Sequence, residues 1–274
     1  MYLRRVFRWA AGGVVCLGAV YAFQRPFRQF HGVEYYSFEL PPGWQEKTEF
    51  AFARLMFPPG PLNGYRGRDA DWHDGISLWT QDYPRADRHF SQAVRRLTRV
   101  HIRSAEQPVN LEEGDAYDWP WLYAVQVGEW GLTDRQGQLL REYCLRGGFF
   151  MADDLHGDAE WYEFESRIRK AFPEYTIREI PDDDPIFHTV YDLNERYQVP
   201  GQAHLRLGYK NGPTGKGAHW RAIYDDKGRI LVAISYNSDI GDAWEFADDA
   251  WYPSRFSDLA MRLGVNYIIY SMTH

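Results

Sequence analysis

At 274 residues the chain can bury a full core, as one large domain or two small ones. Aromatic residues make up 17%, with 11 Trp and 19 Tyr, which points to broad aromatic packing or sugar-stacking surfaces and away from disorder. Residues 1–28 carry five Arg and no acid, so the rest holds 26 basic and 38 acidic residues, a net of −12; so acidic a body is a poor match for a phosphate backbone, and no nucleic-acid partner is expected.

The N-terminus has a basic start, an uncharged and mostly apolar run from Trp9 to Phe23, and then Arg25 and Arg28. The run is shorter than the ~20 residues of a comfortable spanning helix, and its layout is that of a secretory signal, with Val20-Tyr21-Ala22 as an acceptable cleavage site. Arg4-Arg5 resembles a twin-arginine export signal. The basic residues after the run argue for an uncleaved anchor. Residues 1–23 are therefore expected to be a signal peptide or membrane anchor that places the rest in the periplasm, tethered or secreted. Residues 24–47, with Pro41-Pro42-Gly43, are expected to be a linker, and 48–274 the folded domain. Two cysteines, Cys16 and Cys144, give no disulfide framework and no metal-type CxxC.

Glu49 to Phe57 alternates and is expected to form a first strand, followed by a Gly/Pro-rich loop over 58–82. Ala86 to Arg99 has Phe90, Val94 and Leu97 on one helical face. Val100 to Arg103 and Trp121 to Val127 are expected to be strands. Thr133 and Gln136 form a capping box, Leu139, Leu140 and Tyr143 the apolar stripe behind it, and Gly147 the helix stop. Gly148 to Ala152 is the next strand and 158–172 the next helix. Ala218 to Tyr236 is a hairpin with its turn at Asp226-Lys227-Gly228. Ser257 is expected to cap a final buried helix of Leu259, Leu263, Tyr267 and Ile268. Strands alternating with helices predict an α/β domain: a mostly parallel sheet with helices on both faces, whose ligands sit beyond the carboxyl ends of strands.

Gly212 to Gly217 superficially resembles a phosphate loop, but Lys210 and Gly217 stand where glycine and Ser or Thr are required. Helix, Gly-Gly, strand and sharp turn is the order of class I glutamine amidotransferase-like domains. In those a cysteine stands directly after the strand; here Asp153 and Asp154 fill that place. Cys144 precedes the glycines, and none of the nine histidines has Glu two residues on, so glutaminase chemistry is not expected. Three polar clusters remain as candidates. Asp153, Asp154 and His156 could bind a divalent ion or share acid/base work, or cap a turn. Neighbouring strand residues point to opposite faces, so the two aspartates converge only if a turn begins between them. Asn237, Asp239, Asp242 and Glu245 crowd oxygens after an apolar strand, and an Asx-turn with a helix N-terminal acid explains them as well. Asp82 could line a pocket or cap the helix after Pro84, while Asp87, Arg88 and His89 are expected on a solvated face.

The stretches Arg54–Phe57, Asp82–Asp87, Gly147–Asp154, Pro185–Phe187, Asn237–Glu245 and Gly264–His274 together resemble the domain of unknown function 4159 family over about residues 48–274. The resemblance implies a flavodoxin-like fold related to glutamine amidotransferases, and company with MoxR-type AAA ATPases and Bat-type membrane proteins. The family brings no catalytic residues to carry over, and at Asp184, before Pro185–Phe187, the chain departs from a histidine common in the family. The resulting expectation is an exported, membrane-anchored, non-glutaminase α/β domain. It would bind a ligand or envelope protein partner at an acidic pocket of Asp82, Asp153, Asp154, Asn237, Asp239 and Asp242, with no cofactor beyond a divalent cation and no assigned metal ligands. The alternative is a hydrolase of carbohydrate or peptidoglycan-like material, with catalytic residues drawn from Asp153, Asp154 and His156.

Overall fold

The computed structural model describes residues 27–62, 71–208 and 216–274. The expected signal or anchor at 1–23, Cys16 and most of the Gly212–Gly217 loop lie outside the described residues. Among the described residues no helix is long and apolar enough to cross a membrane.

Short apolar runs, each ended by a turn, form seven strands: β1 (Ala53–Leu55), β2 (Gln107–Val109), β3 (Trp121–Ala124), β4 (Phe149–Leu155), β5 (Ile177–Glu179), β6 (His219–Tyr224) and β7 (Ile230–Tyr236). They join one sheet in the order β2-β1-β3-β4-β7-β6-β5. The first five in that order run parallel, and β6 and β5 are antiparallel additions. Helices α1 (Arg85–Leu97), α2 (Asp134–Leu145), α3 (Gly157–Ala171), α4 (Gln202–Arg206), α5 (Ile240–Glu245) and α6 (Ser254–Thr273) complete the chain. One core layer sets Phe52, Tyr123 and Met151 against Phe90, Trp244 and Leu263 of α1, α5 and α6. The other sets Leu122, Phe150 and Ile234 against Leu140, Phe164 and Ile168 of α2 and α3. The fold is thus mixed α/β, with a mostly parallel sheet covered on both faces.

The Thr133–Gln136 capping box is present, each residue accepting the other's backbone N–H at 3.1 Å. Other local expectations need correction. Val100 to Arg103 forms no strand, only a bridge from Ile102 to Phe50. The strand beside β1 is instead Gln107–Val109, and its Pro108 is tolerated because β2 is a sheet edge. The last helix begins one turn before Ser257, behind Pro253 at φ −65°, so Ser257 is buried within it.

The largest correction concerns α1. Asp87 and Arg88, expected on a solvated face, are 0% and 3% exposed. Arg54 of β1 reaches across the layer and donates through Nε to Asp87 Oδ2 at 2.8 Å, and through Nη1 to the Trp79 and Gln81 carbonyls at 3.1 and 3.0 Å. Arg88 pairs with buried Glu106 at 2.9 Å. Leu97, expected in the core, is exposed. Asp87 and Arg88 are buried along with Phe90 and Val94, because each charge meets an opposite one inside. Removing one member of such a pair strands the other. Arg54→Met should therefore cost about 3–5 kcal/mol in a urea melt, and Arg54→Met with Asp87→Leu should cost less than the sum of the single variants. Additive losses would show that the pair is not coupled.

Candidate functional site

The candidate residues meet at the carboxyl ends of β3, β4 and β7. Along β4, Phe149, Met151 and Asp153 face the first core layer, while Phe150 and Ala152 face the second. Leu155 also faces the second, out of alternation, because the register with β7 slips between Ala152 and Leu155. The inserted residue is Asp154, at φ 52°. This bulge answers the geometric objection that adjacent strand residues diverge: it re-aims Asp154 so that both aspartates approach one region. Gln126, Asp82 and Asn237 are likewise left-handed, at φ 48°, 59° and 60°. Non-glycine residues seldom hold this conformation, and its concentration at this end of the sheet is the kind of strain found at functional sites.

Asp153 is a fastening residue. Its Oδ2 accepts from Tyr123 Oη at 2.9 Å and from the Ile240 and Gly241 amides at 3.0 and 2.9 Å. It therefore ties β3 and β4 to the start of α5. Asn237 is also occupied, its Oδ1 accepting from Gly157 N at 3.0 Å and its Nδ2 donating to Gly217 O at 3.2 Å. It caps α3 from outside the helix. Asp239 caps α5 through Oδ1, which accepts from Asp242 N at 2.8 Å, and Asp242 Oδ2 accepts from Gln202 N at 2.6 Å. The Asx-turn expectation is thus correct for one oxygen of Asp239.

The acids nevertheless converge. One carboxylate oxygen each from Asp82, Asp239 and Asp242 lie within 4.8 Å of one another, as do ligand atoms of Asp154, His156 and Asp239, and of Glu34, Asp82 and Glu245. Asp82 does not cap the helix after Pro84 with its side chain; Oδ2 is buried without a partner, as are Asp153 Oδ1 and Glu245 Oε2. Arg54 lies close enough to act on Asp82, yet its N–H groups go to Asp87 and two carbonyls. At such separations two ionised carboxylates repel by about 3–4 kcal/mol at an effective dielectric constant of about 20. Burial, reinforced by Asp242, raises Asp82 and Asp154 well above the carboxylate range, and burial with Asp154 does the same for Asp239. Burial pushes Asp153 and Glu160 up to about 7 and Glu245 to about 8. His156 Nε2 lies 2.9 Å from Asp154 Oδ1; burial lowers the imidazole's pKa, and Nδ1 has no partner.

Sequence reasoning missed Glu34, inside the expected linker, where composition carries no signal. In the structure residues 33–35 touch the site. Glu34 Oε2 accepts from Asp82 N at 2.8 Å, Val33 N donates to Thr80 Oγ1 at 3.1 Å, and Tyr35 donates to Glu245 Oε1. His204, edge-on to His156 at 4.9 Å, was missed as well. Cys144 is fully buried in α2, with Sγ against Leu231 O near the start of β7. At ~3.3 Å per strand residue that is roughly 16 Å from the acidic end of the sheet.

A mixed α/β domain with an acidic site at its strand ends is the class these observations define. The family described as domain of unknown function (DUF4159) matches residues 73–272, and the chain belongs to it. No curated protein matches the chain.

Two outcomes follow from this geometry. Asp153→Ala leaves three donors unsatisfied and should cost about 3–5 kcal/mol, whereas Asp153→Asn, which keeps an acceptor oxygen, should cost about half as much. Equal losses in denaturant melts would contradict the fastening role. The raised carboxylates bind more protons folded than unfolded between their ordinary pKa and about 7–8. Their contribution to stability is therefore full below about pH 4 and is lost as pH rises through 7–8. In metal-free buffer Tm should fall from pH 5 to 8.5, and Glu160→Gln should flatten the fall. Each pKa unit removed is worth about 1.4 kcal/mol, or about 3–6 °C in a domain of this size. A Tm that rises over this range would contradict the assignment.

Proposed function

We propose that the chain is a non-glutaminase α/β binding domain whose strand-end pocket takes a positively charged ligand or partner group. The observation that carries this reading is the convergence of Asp82, Asp154, Asp239 and Asp242, each at most 8% exposed, around oxygens that no described cation neutralises directly. A positive ligand would relieve both the mutual repulsion and the raised pKa values. The bulge at Asp154 and the left-handed Asp82 hold the acids in place before any ligand arrives, so little ordering is needed on binding. The sequence of residues 1–28 supports tethering to a membrane, with the domain acting in a cell-envelope assembly. Membership of the family supports, by resemblance, company with a MoxR-type ATPase. The relation to glutamine amidotransferases belongs to the same reading; its support is the helix, Gly-Gly, strand order with Asp153 and Asp154 at the elbow place.

A hydrolase is the second reading, and the Asp154–His156 pair favours it, since a carboxylate beside a neutral imidazole is a usable acid/base couple. Against a role for Asp153 as base stand the three hydrogen bonds already on its Oδ2.

A thermal-shift panel of spermidine, a lysine-rich peptide, divalent chlorides and neutral oligosaccharides decides the matter. Cationic probes should raise Tm by several degrees, and Asp154→Asn should at least halve the response. Stabilisation by neutral sugars alone, equal in both proteins, would contradict the reading, and sugar turnover abolished by Asp154→Asn would establish the hydrolase instead.

A further inference from the structure

Resting on the acidic-pocket reading, we propose that the pocket is a divalent-cation site in which carboxylate oxygens of Asp82, Asp239 and Asp242 bind a hard ion such as Mg2+, Ca2+ or Mn2+. The separations fit. Oxygens bonded to one ion at about 2.0–2.6 Å lie about 3–5 Å apart, and the three ligand atoms here fall within 4.8 Å of one another. The donor set is all oxygen, which selects hard ions over thiolate- or imidazole-seeking ones.

Asp82 points the same way independently of the clustering. Asp82 is 1% exposed, its carboxylate belongs to the set, and Oδ2 accepts no hydrogen bond. A buried carboxylate oxygen left unpaired is costly unless something positive meets it. Protein N–H groups already hold the other two ligands, Asp242 N on Asp239 and Gln202 N on Asp242, as second contacts do in built metal sites.

Backbone approaches these oxygens closely at two glycines. A Cβ at Gly241 would stand 2.3 Å from Asp82 Oδ2, and one at Gly201 would stand 2.5 Å from Asp239 Oδ2 and 3.0 Å from Asp242 Oδ2. Any side chain at either position would push into the ligand oxygens. Two elements distant in sequence thus meet the cluster with bare backbone, Gly241 at Asp82 and Gly201 at Asp239 and Asp242.

Calorimetric titration of the full chain with MnCl2, MgCl2 and CaCl2, with spermidine as an organic-cation control, tests the site. At least one divalent ion should bind at one equivalent. Asp82→Asn, which removes charge without removing any side-chain hydrogen bond seen here, should weaken that binding tenfold or more. Asp118→Asn, outside the site, should leave it unchanged. Mn2+ paramagnetic resonance on the wild-type chain should show immobilised ion, which keeps the test valid if a variant fails to fold. Spermidine binding without any divalent-ion binding would overturn the metal assignment and leave the pocket reading standing. No binding of either would overturn both. Divalent-ion binding lost in His156→Ala and kept in Asp82→Asn would overturn the ligand assignment.

Discussion

The carboxylate of Asp153 is the joint on which this end of the molecule is built. One oxygen gathers Tyr123 from β3 and two amides from the start of α5, so strand, neighbouring strand and helix are fixed to one atom. A fully buried carboxylate with three donors on one oxygen is worth more than three neutral hydrogen bonds. That attachment sets where Asp239 and Asp242 stand, since both are carried by the α5 segment. It also explains why Gly241 must be glycine: the helix start approaches Asp82 and Tyr123 too closely for a Cβ.

Around that joint two of the acids do two things. Asp239 and Asp242 satisfy backbone donors with one oxygen and face their neighbours as well; Asn237 closes the start of α3 and supplies no free group. Asp82 makes no such repayment, and its left-handed backbone is held by Glu34. Purely structural capping would leave the acids apart, each at its own helix. Their convergence costs repulsion that capping alone does not require, and that repulsion is what the proposed cation would relieve.

Much of this was legible in the sequence. Apolar runs separated by capped helices gave the α/β class and the hairpin of β6 and β7, and the polar residues after β4 and β7 marked the strand ends. The role of Asp153 was not legible, because its three donors come from residues 30 to 88 positions away. The bulge at Asp154 was hidden too, since nothing in Ala152-Asp153-Asp154-Leu155 distinguishes a straight strand from one with an inserted residue. Asp87 and Arg88 look solvated because their partners, Arg54 and Glu106, lie 33 and 18 positions away. Glu34 was lost for a simpler reason: a proline-flanked, aperiodic stretch reads as linker even where it bonds to the acidic cluster.

The account stands on whether a cation replaces protons among these carboxylates. Anomalous diffraction from crystals grown with Mn2+ near pH 7.5 tests this most directly. The account predicts one strong peak about 2.0–2.6 Å from oxygens of Asp82, Asp239 and Asp242. Clear density for the three side chains with no peak among them, their oxygens paired through shared protons, would contradict it.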